Sequence, residues 1–310
     1  MKMSSAFVVL SLLTTIVIET NAQDNPAAKK LEGRWDLTID MNGTQSPSWL
    51  EVTHSGFRTL VGRFVGVAGS ARPVSEVTLN GNIFSFVIPP QWEEGAADLI
   101  VMGEVSDNAL SGEITFPDGK KYSWTGKRAP SLRGEKAGTP GKPQQLIKPN
   151  LEGWKALGDN QWVVENGILK SPKSGANLVT VDKFKNFKLH IEFRYPQGSN
   201  SGVYLRGRYE VQIMDSKGND PVSGELGGVY GFIAPIEQVA KAPGEWQTYD
   251  ITLVGRMITV EANGKLIICN QEIPGITGGA LDSNEDDPGP LLLQGDHGPV
   301  EYRNIVITPL

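Results

Sequence analysis

Two stretches of this chain concentrate side chains able to hold a polar ligand or move a proton. In Phe187–Tyr195, strand alternation puts Lys188, His190, Glu192 and Arg194 on one face and five apolar or aromatic residues on the other. In Tyr209–Met214, Glu210, Gln212 and Met214 face one way while Tyr209, Val211 and Ile213 face the other. Carboxylate, amide and guanidinium groups on a sheet face suit a ligand rich in hydroxyls, such as a sugar. The same alternation also fits an antiparallel sheet with one wetted face. Histidine is scarce, with three in 310 residues, so a histidine in a cleft is informative. His297 stands in the sharp loop Gly295-Asp296-His297-Gly298-Pro299, just after the apolar run Leu291–Gln294, where the rim of a sheet would expose it.

Other chemistries are poorly served. The single cysteine, Cys269, excludes an intramolecular disulfide and a multi-cysteine zinc site, and its apolar surroundings mark it as an inert core residue. The acidic loop Asp282–Gly289 lacks the closing glutamate of an EF-hand loop and is expected to be solvated. Lysine and arginine number 29 against 35 acidic residues, a net charge of −6 without a clustered basic patch, which argues against nucleic acid as a partner.

Short strands must position these groups. The 36 glycines and 20 prolines are spread singly through apolar stretches, punctuation that favours strands and turns over helix bundles. Between Leu31 and about Arg128, eight alternating runs are separated by turn signals such as Asn80-Gly81 and Asp118-Gly119. They predict an up-and-down meander closing as a small barrel or a strongly curled sheet. Residues 129–146, rich in proline, glycine and basic side chains, read as an exposed linker between two independently folding units. Residues 147–310 carry longer strands and the Asn263-Gly264 hairpin turn, and predict a two-sheet jelly roll with little helix beyond one turn near Ile236–Ala240. The expected fold class is all-β, a small meander or barrel followed by a jelly-roll sandwich.

Residues 1–22 read as an address. Lys2 precedes a predominantly apolar run, Ala6–Ile18, far shorter than the roughly 20 residues a span requires. Thr20-Asn21-Ala22 suits cleavage before Gln23. The expectation is an exported protein, periplasmic or secreted, with no membrane span.

From Phe187 onward, motifs follow in a telling order. Phe187-Lys188-Leu189-His190-Ile191-Glu192-Phe193-Arg194 precedes Asn200-Ser201-Gly202-Val203-Tyr204-Leu205-Arg206-Gly207 and Tyr209-Glu210-Val211-Gln212-Ile213-Met214-Asp215. Then come Gly228-Val229-Tyr230-Gly231, Gly244-Glu245-Trp246-Gln247, Asn263-Gly264-Lys265, Leu292-Leu293-Gln294-Gly295-Asp296-His297-Gly298 and Val300-Glu301-Tyr302-Arg303-Asn304-Ile305. Over about residues 151–310 the chain resembles the 3-keto-disaccharide hydrolase domain family. The resemblance implies a concanavalin A-like jelly roll that cleaves glycosides whose C3 hydroxyl has become a ketone.

That ketone acidifies the C2 hydrogen. A base removes it, the C1–O bond breaks by elimination, and water adds across the new double bond. The site then needs a base, hydrogen-bonding stabilisation of the enolate oxygen and an acid for the leaving oxygen. On the resemblance, His297 is the first choice for base, with Glu192 and Glu210 as the other catalytic residues converging on one concave surface. Arg206 and Gln212 are expected as oxyanion or hydroxyl partners, with Asn200, Gln294 and the aromatic platform Trp246 also binding substrate. No cofactor is called for, while a divalent metal stays compatible with the chemistry. The partner is an oligosaccharide or glycoside, supplied by an upstream sugar 3-oxidising enzyme. The competing readings are a non-catalytic, lectin-like carbohydrate-binding module and an ordinary jelly-roll glycosidase. A positioned base separates an enzyme from a lectin.

Overall fold

The computed structural model describes residues 25–310, and the leader expected over residues 1–22 lies outside the described residues. Eight strands come first: β1 (Gly33–Met41), β2 (Thr44–Ser55), β3 (Thr59–Val65), β4 (Arg72–Asn80), β5 (Ile83–Ile88), β6 (Leu99–Val105), β7 (Ala109–Thr115) and β8 (Lys121–Arg128). Each pairs antiparallel with the next, and β1 returns to β8, so the meander closes as a barrel. Alternation sends Trp35, Phe64, Phe84 and Trp124 inward, so the interior is packed with side chains.

Helix α1 (Pro26–Leu31) precedes the barrel. Asn25 caps it by accepting from the Ala27 amide at 2.9 Å, and the Leu31 carbonyl accepts from the Trp35 indole at 2.8 Å. The helical turn expected near Ile236–Ala240 is irregular instead. That segment spends its polar groups on the neighbouring sheet: the Ile236 amide donates to the Ile267 carbonyl, and the Val239 carbonyl accepts from Asn263.

The second half begins with β9 (Gln144–Gln145), β10 (Trp154–Ala156), β11 (Val163–Glu165), β12 (Ile168–Ser171), β13 (Leu178–Thr180), β14 (Phe187–Arg194), β15 (Asn200–Leu205) and β16 (Tyr209–Met214). It ends with β17 (Gln247–Val254), β18 (Met257–Ala262), β19 (Lys265–Glu272), β20 (Leu292–Leu293) and β21 (Val300–Pro309). One sheet runs β10-β13-β20-β15-β16; the other runs β11-β12-β21-β14-β17-β18-β19, with β9 also paired to β21. Leu189, Ile191 and Phe193 of β14 meet Val203 of β15 and Val211 and Ile213 of β16 in the core between the sheets, the jelly-roll sandwich that the alternation implies.

Two details break the alternation. Ile267 and Ile268 are both buried because the β18–β19 register slips at bulges near Val260. The slip turns the next residue outward, so Cys269 is exposed, not a core residue. At the edge of the five-stranded sheet, β16 is covered by a loop: the Gln212 amide donates to the Gly228 carbonyl at 2.9 Å, and the Tyr230 amide donates to the Glu210 carbonyl at 3.0 Å.

Barrel and sandwich meet along an apolar seam. Trp49 of β2 points out of the barrel, fully buried, and packs edge-on against Phe232 at 5.3 Å, with Arg63 over both rings. Arg34 bridges Glu51 to Glu272 across the seam. The joining segment is pinned to the sandwich at several points: Leu132 is buried, the Pro130 carbonyl accepts from Arg256, and the Gly141 amide donates to the Pro309 carbonyl at 2.8 Å.

Candidate active site

A cavity of about 410 Å³ opens on the outer face of the five-stranded sheet. Period-two alternation delivers its floor: Asn200 and Tyr204 from β15, Glu210 and Gln212 from β16, and Gln294 just beyond β20. The hairpin register sets Tyr204 directly opposite Glu210 and Gly202 opposite Gln212. Glu210 leans over Gly202 so closely that a Cβ there would fall 2.3 Å from the carboxyl oxygen, so the glycine makes room for the acid. The Glu210 amide donates to Thr277 Oγ1 at 3.0 Å, which fixes the strand from its far side.

Glu210 is buried, and burial pushes its carboxyl up to about 8, against the pull of the Tyr204 hydroxyl and the His297 charge. Across the cavity, His297 Nδ1 lies 2.6 Å from Asp296 Oδ1. This hydrogen bond raises the imidazole pKa above its ordinary 6.5; partial burial opposes the shift, and the Asp296 and Glu210 charges add to it. A short Asp–His pair holds one ring nitrogen and leaves the other for chemistry. Asn200 Oδ1 and Gln294 Oε1 are buried without a hydrogen-bond partner among the described residues, in a cavity that they line. Such groups demand donors, and sugar hydroxyls are donors.

Glu210, His297, Asn200, Gln212 and Gln294 are therefore brought together as expected, and three other candidates are not. Glu192 lies on β14, in the opposite sheet. Both β14 and β16 have one polar and one apolar face, but the sheets bury their apolar faces against each other, so the polar faces point to opposite sides of the sandwich. Glu192 is occupied there: partial burial opposes ionisation, but Asn304 and Arg303 hold its carboxyl below the usual range, at 3.0 and 2.6 Å. A bulge in β21, with Asn304 at a φ of 49°, aims both side chains at it. Trp246 sits on that side too, its ring faced by Arg194 at 4.7 Å and Arg303 at 4.1 Å, so it is no platform for the cavity. Arg206 occupies the β15–β16 turn at a φ of 54°. Its guanidinium is buried, donating to Tyr209 and the Gly255 carbonyl at 2.9 Å each, away from the cavity.

Sequence reasoning missed Tyr204, Tyr230, Asp296 and the barrel residues Ala68 and Gly69, all of which line the cavity. Counting back through the three-residue turn would have set Tyr204 opposite Glu210, and Asp296 is the neighbour of His297. The barrel contribution left no local signal. A second cavity, also about 410 Å³, lies beside Arg194 and Glu301. Its charged side chains are paired, Arg194 with Glu301 and Lys170 with Glu165. Among the described residues, no cluster of three or more histidine, cysteine, aspartate or glutamate side chains is arranged to hold a metal ion.

A small polar cavity with a buried acid and a histidine, on a jelly-roll sheet, defines the class of site. Residues 143–308 match the 3-keto-alpha-glucoside-1,2-lyase-like domain, and the chain belongs to that family. A 3-keto-disaccharide hydrolase of Bacteroides thetaiotaomicron is 33% identical over 83 residues, which are 23% of this chain and only 28% of that relative's length. Among solved structures, a Parabacteroides distasonis protein that carries the name of a glycosyl hydrolase is 30% identical, covering 54% of this chain and 82% of its own, with a TM-score of 0.46. The carbohydrate-binding module CBM66 of Bacillus subtilis is 10% identical, covering 51% of this chain and 97% of its own, with a TM-score of 0.34. Among the described residues, no helix is long and apolar enough to cross a membrane.

Proposed function

We propose that this protein cleaves 3-keto-glycosides by elimination and hydration, with His297 and Glu210 exchanging the protons. The observation that carries the reading is the buried, proton-holding Glu210 facing the Asp296–His297 pair across one small polar cavity. Neutral His297 removes the C2 proton of the 3-keto sugar, and the electron pair delocalises into the C3 carbonyl as an enolate. The enolate collapses to a C1–C2 double bond as the C1–O bond breaks, and Glu210 gives its proton to the departing oxygen. The Glu210 carboxylate then takes a proton from water as its oxygen adds at C1, while protonated His297 returns a proton to C2. Both residues end as they began. Asn200, Gln212 and Gln294 hold ring hydroxyls and the C3 oxygen.

A lectin would need the amides, yet has no use for a carboxylic acid kept neutral by burial. An ordinary glycosidase would want two carboxyl groups flanking the glycosidic bond; here Glu192 is on the wrong sheet, and the second carboxyl of the cavity, Asp296, is engaged by His297 Nδ1 at 2.6 Å. The test is to incubate the protein with a 3-keto-disaccharide and with its unoxidised parent. Release of sugar from the keto substrate alone is expected; equal turnover of both would move the protein to the glycosidases. The supplier of such a substrate is an enzyme that oxidises the C3 hydroxyl of sugars. Export of the chain, periplasmic or secreted, completes the proposal, and a mature protein beginning at Gln23 would support it.

A further inference from the structure

The β3–β4 loop crosses the seam and lines the sugar cavity with Ala68 and Gly69. Behind this wall, the Gly279 amide donates to the Val67 carbonyl at 3.0 Å. Gly278 is pressed against the loop so tightly that a Cβ there would lie 2.1 Å from the Gly69 carbonyl oxygen. The Gly278 carbonyl in turn accepts from the Tyr204 hydroxyl at 3.0 Å, and Tyr204 faces Glu210 across the hairpin. An unbroken run of contacts thus leads from the barrel to the buried acid. The same loop abuts Gly231, where a Cβ would fall 2.7 Å from the Ala71 amide, beside the cavity residue Tyr230.

We infer that the barrel is a working part of the site: its β3–β4 loop walls the sugar cavity and buttresses the Gly278–Gly279 strap that orients Tyr204 beside Glu210. This rests on the reading of the cavity as an acid–base site for sugars. The Tyr204 hydroxyl has one proton, which it donates to the Gly278 carbonyl at 3.0 Å, while the Glu210 carboxylate opposite it on the hairpin is the competing acceptor, whose ionised form that hydroxyl favours. While the strap is in place the two compete; once it moves, the carboxylate has that proton to itself and gains access to water. Both changes favour ionisation of Glu210. The other groups facing Glu210 are Asp296 and His297 from the loop after β20, Tyr230 from the edge loop and Tyr302 from β21. Of the groups around Glu210, Tyr204 is the one bonded to the strap.

The experiment uses the full-length chain and two variants. Gly278→Ala forces strap and loop apart. Gln91→Ala loosens the loop from the barrel side, where Gln91 Oε1 accepts from the Ser70 amide at 3.0 Å and its amide donates to Ser70 Oγ at 2.7 Å. Two readouts are taken: the pH dependence of kcat/KM on a 3-keto-disaccharide, and the titration of the Glu210 carboxyl by 13C NMR without substrate. In Gly278→Ala, the alkaline limb and the carboxyl titration should both move down by at least about one pH unit. Gln91→Ala should give a smaller shift of the same sign, and KM should rise in both as the wall retreats. Folded variants that titrate where the parent does, with the parent's KM, overturn the inference. If Gly278→Ala does not fold, Gln91→Ala decides alone. A parent that leaves the 3-keto sugar intact sinks the proposed function instead, and the carboxyl titration still decides whether the barrel acts on Glu210.

Discussion

A carboxyl held near pH 8 keeps a proton that an ordinary glutamate releases at about 4.5, so the folded protein binds more protons than the unfolded chain between those values. Stability linked to Glu210 is therefore complete below about pH 4.5 and lost as pH rises through about 8. Glu210→Gln should cost roughly 10²–10⁴-fold in turnover yet unfold at a higher temperature than the parent at pH 9, as thermal scans at several pH values would show. The same two groups shape the rate. Activity should climb as His297 loses its proton, above pH 6.5, and fall as Glu210 loses its own near 8, a narrow bell. Asp296→Asn removes the hydrogen bond and charge that raise the imidazole, and should move the acid limb to lower pH in the same assay. Glu192→Gln should leave turnover near the parental value and cost only ~0.2–1 kcal/mol, because it loses a partly exposed ion pair with Arg303.

Strands were the most legible level of the molecule. Their alternation, with turns such as Asn80-Gly81 and Asn263-Gly264, was enough to set out the eight-strand meander and most of the sandwich strands. What periodicity could not say is which sheet a strand joins. Glu192 and Glu210 look equivalent in the sequence, and only the face-to-face packing of β14 and β16 parts them. Arg206 and Cys269 escaped for a related reason: a left-handed turn and a bulge each redirect a side chain without leaving a periodic trace. The scarcity of histidine and its glycine-flanked loop marked His297, and the family resemblance supplied its role as base together with the binding roles of Gln294 and Asn200. At this scale Gly202 is the sharpest lever. Gly202→Ala should leave the sheet folded by circular dichroism while pushing the Glu210 carboxyl aside, lowering kcat by at least about 10-fold.

At the scale of the whole molecule, the seam decides behaviour. Trp49 is fully buried against Phe232, and Asp36 of β1 is buried opposite Glu285 of the sandwich. Burial first, then the Glu285 charge, pushes Asp36 up to about 9, while Arg256 and Lys127 oppose the shift. The seam's contribution should fade as pH climbs toward about 9, and Asp36→Asn should flatten that decline. Calorimetry at neutral pH should show one transition for barrel and sandwich together, since an apolar interface couples what a free tether would leave independent. A fragment starting at Gln144 would bare the Phe232 surface and lose the cavity wall, and is expected to associate in gel filtration and to be inactive.

The loop stitched along β16 has a bearing on how sugars come and go. It carries Tyr230 and also occupies the outer hydrogen-bonding edge of a sheet that would otherwise be open to pairing with another chain. Swinging it aside would strip the Gln212 amide and the Glu210 carbonyl of their partners and advertise an aggregation-prone edge at every turnover. A segment with that guard duty makes a poor door. Traffic should pass over a doorway that stays open beside His297, whose side chain is half exposed, and the rate of product escape should be insensitive to solvent viscosity beyond simple diffusion.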